Sequence, residues 1–124
     1  MRINKIDEGK RGEAFAASYL RRNGYQIIDQ NFRIRGGEID LIAIDFNDGV
    51  KTLVFIEVKT RTSEDFGSPL EAIGYHKMRT LIRAAHMYKM NHPGLPSLMR
   101  IDAVGVVVNK EQQLLNIYLV KNIT

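Results

Sequence analysis

Two apolar runs of strand length, each interrupted by an acidic residue, constrain this chain more than any other feature of its sequence. The first run is Glu38 to Ile44, the second is Leu53 to Lys59, and the turn signal Asn47-Asp48-Gly49 separates them. Strand-forming residues on both sides of such a turn predict an antiparallel hairpin. The acids are notable because a carboxylate is unusual in the middle of an apolar strand.

The register of this hairpin brings charged side chains together. A tight turn places Asp40 opposite Glu57, and the period of two along a strand places Lys59 on the same side. Two facing carboxylates destabilise a sheet unless a cation compensates, so we predict that Asp40 and Glu57 hold Mg²⁺ or Mn²⁺. The carbonyl oxygen of Val58 is a further candidate metal ligand. Because such a cation polarises a phosphodiester and activates water, while Lys59 can orient that water, the predicted chemistry is phosphodiester hydrolysis.

The other side of the hairpin is apolar and is predicted to pack on the core. It comprises Val54, Ile56 and Val58 of one strand and Ile39, Leu41 and Ala43 of the other.

The remaining pattern predicts the element order α-β-β-β-α-β-β. The first helix is expected from a capping Asp7 to about Asn23, with Gly24 as its stop. The second is expected from a capping Ser68 to about Asn91, with an interruption at Gly74 left open. The other strands are predicted at Tyr25 to Arg33, Met99 to Val108 and Leu114 to Val120.

The bulk composition predicts one soluble domain that spans residues 1–124. The chain has 124 residues, 44% of them hydrophobic and 26% charged, which is ordinary for a globular domain. It has no cysteine, so disulfides and thiolate metal sites are excluded. No apolar run approaches the roughly 20 residues of a membrane span, and no signal peptide is evident, so a cytoplasmic protein is expected. The net charge of +4 suits a polyanionic partner, but also an ordinary basic enzyme.

Four segments of the sequence together resemble a known family. They are Gly12-Glu13-Ala14, Gly37 to Ala43, Phe55 to Arg61 and Phe66-Gly67-Ser68-Pro69. Asp40 followed by Glu57-Val58-Lys59 resembles the motif of the PD-(D/E)XK nuclease superfamily, which includes archaeal Holliday junction resolvases. The ordered set of four is similar to the bacterial YraN-like family along almost the whole chain.

This resemblance implies a fold and a set of roles. The fold is restriction-endonuclease-like, a mixed central sheet flanked by helices. Asp40 and Glu57 correspond to the metal ligands, Lys59 to the catalytic lysine and Glu13 to the acid of the first helix. Ile39 stands where the superfamily name has proline, a position that often differs among relatives.

Basic residues near these segments are candidate contacts to a nucleic-acid backbone. Arg33 and Arg35 flank the Gly36-Gly37 turn, and Arg61 extends the strand that carries Lys59. On the second helix the candidates are Lys77, Arg79 and Arg83, and the two arginines belong to a helical stripe with His76 and His86. The alternative for this stripe is a solvated helix face. Asp102 follows Arg100 in a predicted strand, and pairing with that basic neighbour is favoured over a place in the site.

Three functional hypotheses follow. The leading one is a Mg²⁺-dependent DNA endonuclease, with branched or structured DNA as the substrate class that the resolvase analogy suggests. The second is a nucleic-acid-binding module that keeps a metal site but cleaves little or nothing. The third is an adaptor without catalysis. A homodimer is a further hypothesis, since a DNA junction presents two symmetric cuts.

Overall fold

Five strands form one mixed sheet between two helices. The computed structural model describes residues 5–47, 49–63, 70 and 73–124, with residues 5–8 described by their backbone alone. The elements in these ranges are α1 (Lys5–Arg22), β1 (Tyr25–Ile34), β2 (Gly37–Asp45), β3 (Thr52–Thr62), α2 (Tyr75–Asn91), β4 (Met99–Val108) and β5 (Leu114–Val120). The predicted order α-β-β-β-α-β-β is confirmed, and the arrangement agrees with a restriction-endonuclease-like fold.

The strands lie in the order β1-β2-β3-β4-β5. All neighbouring pairs are antiparallel except β3 and β4, which are parallel. Parallel neighbours need a crossover connection, and α2 lies in the segment that joins these two. The carboxyl-terminal half of β3, where Glu57 and Lys59 are found, therefore leads towards the start of α2.

Apolar side chains cover the two faces of the sheet in separate cores. The α1 side is built on residues such as Leu20, Leu41, Val54, Ile56 and Val104. The α2 side is built on residues such as Ile42, Leu53, Phe55, Leu81 and Tyr88. Because β2 and β3 are buried on both faces, their sequences are nearly continuous apolar runs in which a charged residue stands out.

The hairpin of β2 and β3 has the predicted register. The pairs run from Leu41 opposite Ile56 to Asp45 opposite Thr52, and Asp40 and Glu57 are the next residues after the last pair. One predicted facing is wrong, because Ile39 packs in the α2-side core and not with Leu41. On the amino-terminal side of Leu41, β2 no longer pairs with β3 and pairs only with β1. The side of the sheet on which Ile39 lies is therefore not determined by the pairing with β3.

The ends of the helices differ in part from the sequence predictions. Helix α1 begins at Lys5, so Asp7 lies within the helix and is not its cap, while the end before Gly24 is as predicted. Helix α2 begins at Tyr75, and the preceding Gly74 is extended and not helical. The predicted start at Ser68-Pro69 and the turn residue Asp48 lie outside the described residues. Neither helix is long and apolar enough, over its described part, to cross a membrane.

A buried ionic network lies on the α1 side of the sheet. Arg100 Nη2 donates to Asp45 Oδ2 at 2.7 Å and to Asp102 Oδ2 at 2.9 Å, and Arg100 Nε donates to Asp102 Oδ1 at 2.8 Å. Tyr25 Oη donates to Asp102 Oδ2 at 3.0 Å. The favoured interpretation of Asp102, a pair with its basic neighbour, is confirmed. The network ties β1, β2 and β4 together beneath α1.

Replacing the central cation of this network should be strongly destabilising. In Arg100→Met, two buried carboxylates lose their shared partner, and we expect the free energy of unfolding to fall by about 3–5 kcal/mol. Denaturant titration followed by circular dichroism measures this. The matched control is Arg33→Met, which breaks the exposed pair with Glu38 and should cost less than about 1 kcal/mol. Equal losses in the two variants would contradict a structural role for the network.

Candidate functional site

Asp40 and Glu57 meet where β2 and β3 separate. The ladder between the strands stops at Leu41 and Ile56, one position before the two acids. In place of a ladder bond, the Val58 N–H donates to Asp40 Oδ2 at 2.8 Å. The carboxyl groups of Asp40 and Glu57 lie within hydrogen-bonding reach of each other. The structure therefore brings together the two acids that the hairpin register pairs, and holds Asp40 through the strand that carries Glu57.

Glu57 is a buried acid whose charge is poorly compensated. The residue is 3% exposed, and its Oε2 has no hydrogen-bond donor among the described residues. Lys77 Nζ lies 3.2 Å from Oε2, close enough for an ion pair although the geometry is not that of a hydrogen bond. Burial, followed by the charge and hydrogen bond of Asp40, raises the pKa of Glu57 to about 8 against the opposing charges of Lys77 and Lys59.

Lys59 lies on the same edge of the site. It follows Glu57 by one strand period, is partly exposed, and is close enough for its charge to act on Glu57. On β4 its neighbour is Gly105, and the ring of Tyr118 from β5 lies where a side chain at that glycine would be. Lys59 is close enough to Glu57 to approach a ligand bound at the carboxylates.

Glu13 reaches the site from α1 because that helix lies very close to β3. A Cβ at Gly12 would overlap Thr60 Oγ1, so glycine permits the close approach and fixes the position of the next residue, Glu13. Burial, then the charges of Asp40 and Glu38, raise the pKa of Glu13 to about 7. The four acids Glu13, Glu38, Asp40 and Glu57 thus act on one another through their charges, although no group of three or more acidic or histidine side chains in the described ranges could by itself hold a metal ion.

Two residues of this acidic region were missed by the sequence analysis. Asn31, in β1 with a φ of 55°, donates its amide, in the orientation that satisfies both acids, to Glu13 Oε1 and Glu38 Oε1 at 3.0 Å. Glu38 also faces Arg33 across an exposed pair of 3.7 Å. Glu38 stands within the motif segment and could have been considered, whereas nothing in the sequence around Asn31 marks it.

The donor set fits a hard divalent cation. Mg²⁺ takes oxygen ligands and is often held by one or two carboxylates, with water and substrate phosphate completing its shell. Asp40 and Glu57 supply two such carboxylates, and Glu57 Oε2 is a buried oxygen without a hydrogen-bond donor among the described residues. The proposed contribution of the Val58 carbonyl oxygen stays a prediction.

A basic groove of about 330 Å³ lies along α2. Its lining residues are His76, Arg79, Thr80 and Arg83. Thr80 packs closely against the turn that joins β1 to β2, since a Cβ at Gly37 would overlap Thr80 Cγ2. Arg83 Nη2 donates to the carbonyl oxygen of Arg35 at 3.2 Å, which fixes the arginine against the turn.

The other predicted backbone contacts are distributed differently. Arg79 lies over the Tyr75 ring at 5.7 Å, and Arg61 donates to the Thr60 carbonyl oxygen at 3.1 Å. His86 is separated from the groove and lines a cavity with Phe55. Lys77 lies with the acids and not with the groove, so its contact in this structure is Glu57.

A second groove, of about 360 Å³, opens on the α1 side next to Glu13. It is lined by Lys10, Glu13, Ala14, Ala17, Arg21, Gln30 and Asn31. The sequence analysis did not single out Lys10 or Arg21, because basic residues on an amphipathic helix give no signal of their own.

Comparison with known proteins identifies relatives across most of the chain. A family model described as "Uncharacterised protein family UPF0102" matches residues 12–106. A UPF0102 protein of Caldicellulosiruptor saccharolyticus is 41% identical over 120 residues, which are 97% of this chain and 98% of the relative. The UPF0102 protein TTE1452 of Caldanaerobacter subterraneus is 40% identical over 111 residues, 90% of this chain and 88% of the relative.

A UPF0102 protein of Chlorobium chlorochromatii is 48% identical over 101 residues, which are 82% of this chain and 74% of the relative. The matched range includes the four acids, Lys59 and the whole of the basic groove. The predicted membership is confirmed: this chain belongs to the UPF0102 family, which is the YraN family.

Proposed function

We propose that this protein is a metal-dependent DNA endonuclease that uses Mg²⁺ or Mn²⁺. The observation that carries this proposal is the Asp40–Glu57 pair, two acids that lie together where β2 and β3 separate. One oxygen of Glu57 is buried there and accepts no hydrogen bond from the described residues. Holding a partly exposed carboxylate beside a buried one is costly, and a fold tolerates such a cost mainly where a bound cation or a reaction needs it.

The residues of the site have separate roles in this proposal. Asp40 and Glu57 hold the cation, which supplies Lewis acidity towards a phosphodiester and an activated water. Lys59, on the same edge, orients that water or stabilises negative charge that develops on the phosphate. Glu13, whose pKa is raised to about 7, lies on the α1 side, where it can accept a proton or fix a water molecule.

DNA is the proposed substrate because cationic side chains continue from the acidic site along α2. Lys77, in the first turn of α2, contacts Glu57. Arg79 and Arg83 follow on the same helix and line the basic groove. Phosphate contacts of this kind position a nucleic acid without reading its sequence. Branched DNA and a homodimer belong to this proposal through the resemblance to resolvases. Cleavage of junction substrates tests the first, and the mass in solution from sedimentation tests the second.

Two substitutions should distinguish the role of the metal ligands from the role of Lys59. Glu57→Gln removes a ligand charge, so Mn²⁺ binding by calorimetry and cleavage of duplex, single-stranded and junction DNA should both be lost. Lys59→Met should retain Mn²⁺ binding and lower the cleavage rate by about 100-fold or more. The matched control for the acid is Glu111→Gln, on an exposed turn, which should behave as the parent.

The result that contradicts the proposal is cleavage by Glu57→Gln at the parent rate, which would locate the activity elsewhere. Mn²⁺ binding and salt-sensitive DNA binding without any cleavage would support the binding-module alternative. Absence of both kinds of binding would support an adaptor.

The basic groove predicts a measurable electrostatic contribution to DNA binding. Each phosphate contact releases a counterion, so Arg79→Gln and Arg83→Gln should each reduce the slope of log affinity against log salt by about 1. Fluorescence anisotropy with a labelled duplex at several salt concentrations measures this slope. Arg22→Gln, in the last turn of α1, is the control and should leave the slope unchanged. An unchanged slope in the groove variants would exclude the groove from the DNA path.

A further inference from the structure

Lys77 occupies a position that the helix itself does not explain. It lies in the first turn of α2, three residues after the Gly74 cap, and that turn has no acidic residue. The amino terminus of a helix carries a partial positive charge, which favours anions and disfavours a lysine. A reason for the lysine must therefore come from outside the helix.

That reason is Glu57. Lys77 Nζ lies 3.2 Å from Glu57 Oε2, the oxygen for which the described residues provide no hydrogen-bond donor. The glutamate side chain is 4% exposed, whereas the lysine side chain is 35% exposed. One partner is fixed in the protein interior, and the other reaches it from partly hydrated space.

This asymmetry determines which partner can move. A lysine has a flexible four-carbon stem and a strongly hydrated ammonium group, so it can leave the ion pair for water at little cost. Glu57 lies in the middle of β3 and cannot follow. The contact is therefore a compensating charge that can be withdrawn while the carboxylate stays in place.

We propose that Lys77 is a built-in counter-cation, which pairs with Glu57 until a divalent metal ion binds and is then displaced towards the DNA phosphates. This inference rests on the proposed function, because it assumes that Glu57 binds the metal. An ammonium group and a divalent ion repel each other strongly on one carboxylate oxygen, so both cannot occupy Oε2. Lys77 gives the buried Glu57 carboxylate a partial counter-charge while the metal site is empty.

Displacement would place a free cation beside the basic groove. His76 precedes Lys77, and Arg79 and Thr80 follow on the same helix, all three lining the groove. A released Lys77 would therefore add one phosphate contact only when the metal is bound. In this way metal binding and DNA binding would favour each other, as linkage requires of any two coupled ligands.

The direct test is the effect of Lys77 on metal affinity. Lys77→Met removes the competing charge, so calorimetry should show Mn²⁺ binding at least about fivefold tighter than in the parent. Lys77→Gln should show the same tightening, and it keeps a polar side chain if the methionine variant folds poorly. Lys51→Met removes an exposed lysine at the turn end of the hairpin, away from Glu57, and should bind Mn²⁺ as the parent does.

A second readout follows the displaced lysine. Ca²⁺ is used here in place of Mn²⁺, so that a metal ion is bound while the DNA is not cleaved. Under these conditions Lys77→Met should reduce the slope of log affinity for duplex DNA against log salt by about 1. In chelator, where Lys77 stays on Glu57, the same substitution should leave the slope unchanged. A reduction of equal size in both conditions would show that Lys77 is a permanent DNA contact, and would overturn the displacement.

The outcomes separate this inference from the proposed function. If the parent binds Mn²⁺ through Asp40 and Glu57, and Lys77→Met binds it equally or more weakly, the inference is wrong and the metal site stands. If the parent does not bind Mn²⁺ at all, both are wrong. Tighter binding in Lys77→Met and Lys77→Gln, with Lys51→Met unchanged, supports the displaced counter-cation.

Discussion

The close approach of two carboxylates, Asp40 and Glu57, is the constraint on which the rest of this structure depends. They meet because the β2–β3 ladder ends one position before them, and Asp40 is held there by the Val58 N–H. Glu57 is buried at this point, and the glycine at position 12 lets α1 bring a third acid, Glu13, nearby. Repulsion that would ordinarily open such a sheet is retained inside the fold.

A second set of buried acids in the same chain shows that this arrangement is not a general feature of the fold. Burial alone would raise the pKa of Asp45, but hydrogen bonds from Arg100 and Asn47 lower it to about 2. Glu57, buried to a similar extent, has its pKa raised to about 8. The Asp45 carboxylate accepts hydrogen bonds and stabilises the structure. The Glu57 carboxylate has only an incomplete partner in the protein, the ammonium group of Lys77. Such differences in environment often distinguish structural acids from functional ones.

The sequence predicted this site because short-range rules determine it. A tight turn and the strand period depend on residues that are close in the sequence, so they predict that Asp40 and Glu57 come together. The facing of Ile39 could not be predicted in this way, since it depends on where β2 leaves β3 while remaining paired with β1. The contacts of Lys77 and Asn31 likewise depend on how distant elements pack. A basic stripe on a helix indicates charge, but not which member turns towards an acid on another strand.

The central claim is that folding holds Glu57 next to Asp40 without full compensation, and pH-dependent stability tests it most directly. The folded protein binds the Glu57 proton more tightly than the unfolded chain, so this group stabilises the metal-free fold less and less as the pH rises from about 4.5 to about 8. We expect denaturant titrations in chelator to show the parent losing stability over this range relative to Glu57→Gln, and saturating Mn²⁺ to restore it at pH 8. Parallel pH profiles for the parent and Glu57→Gln would contradict the claim.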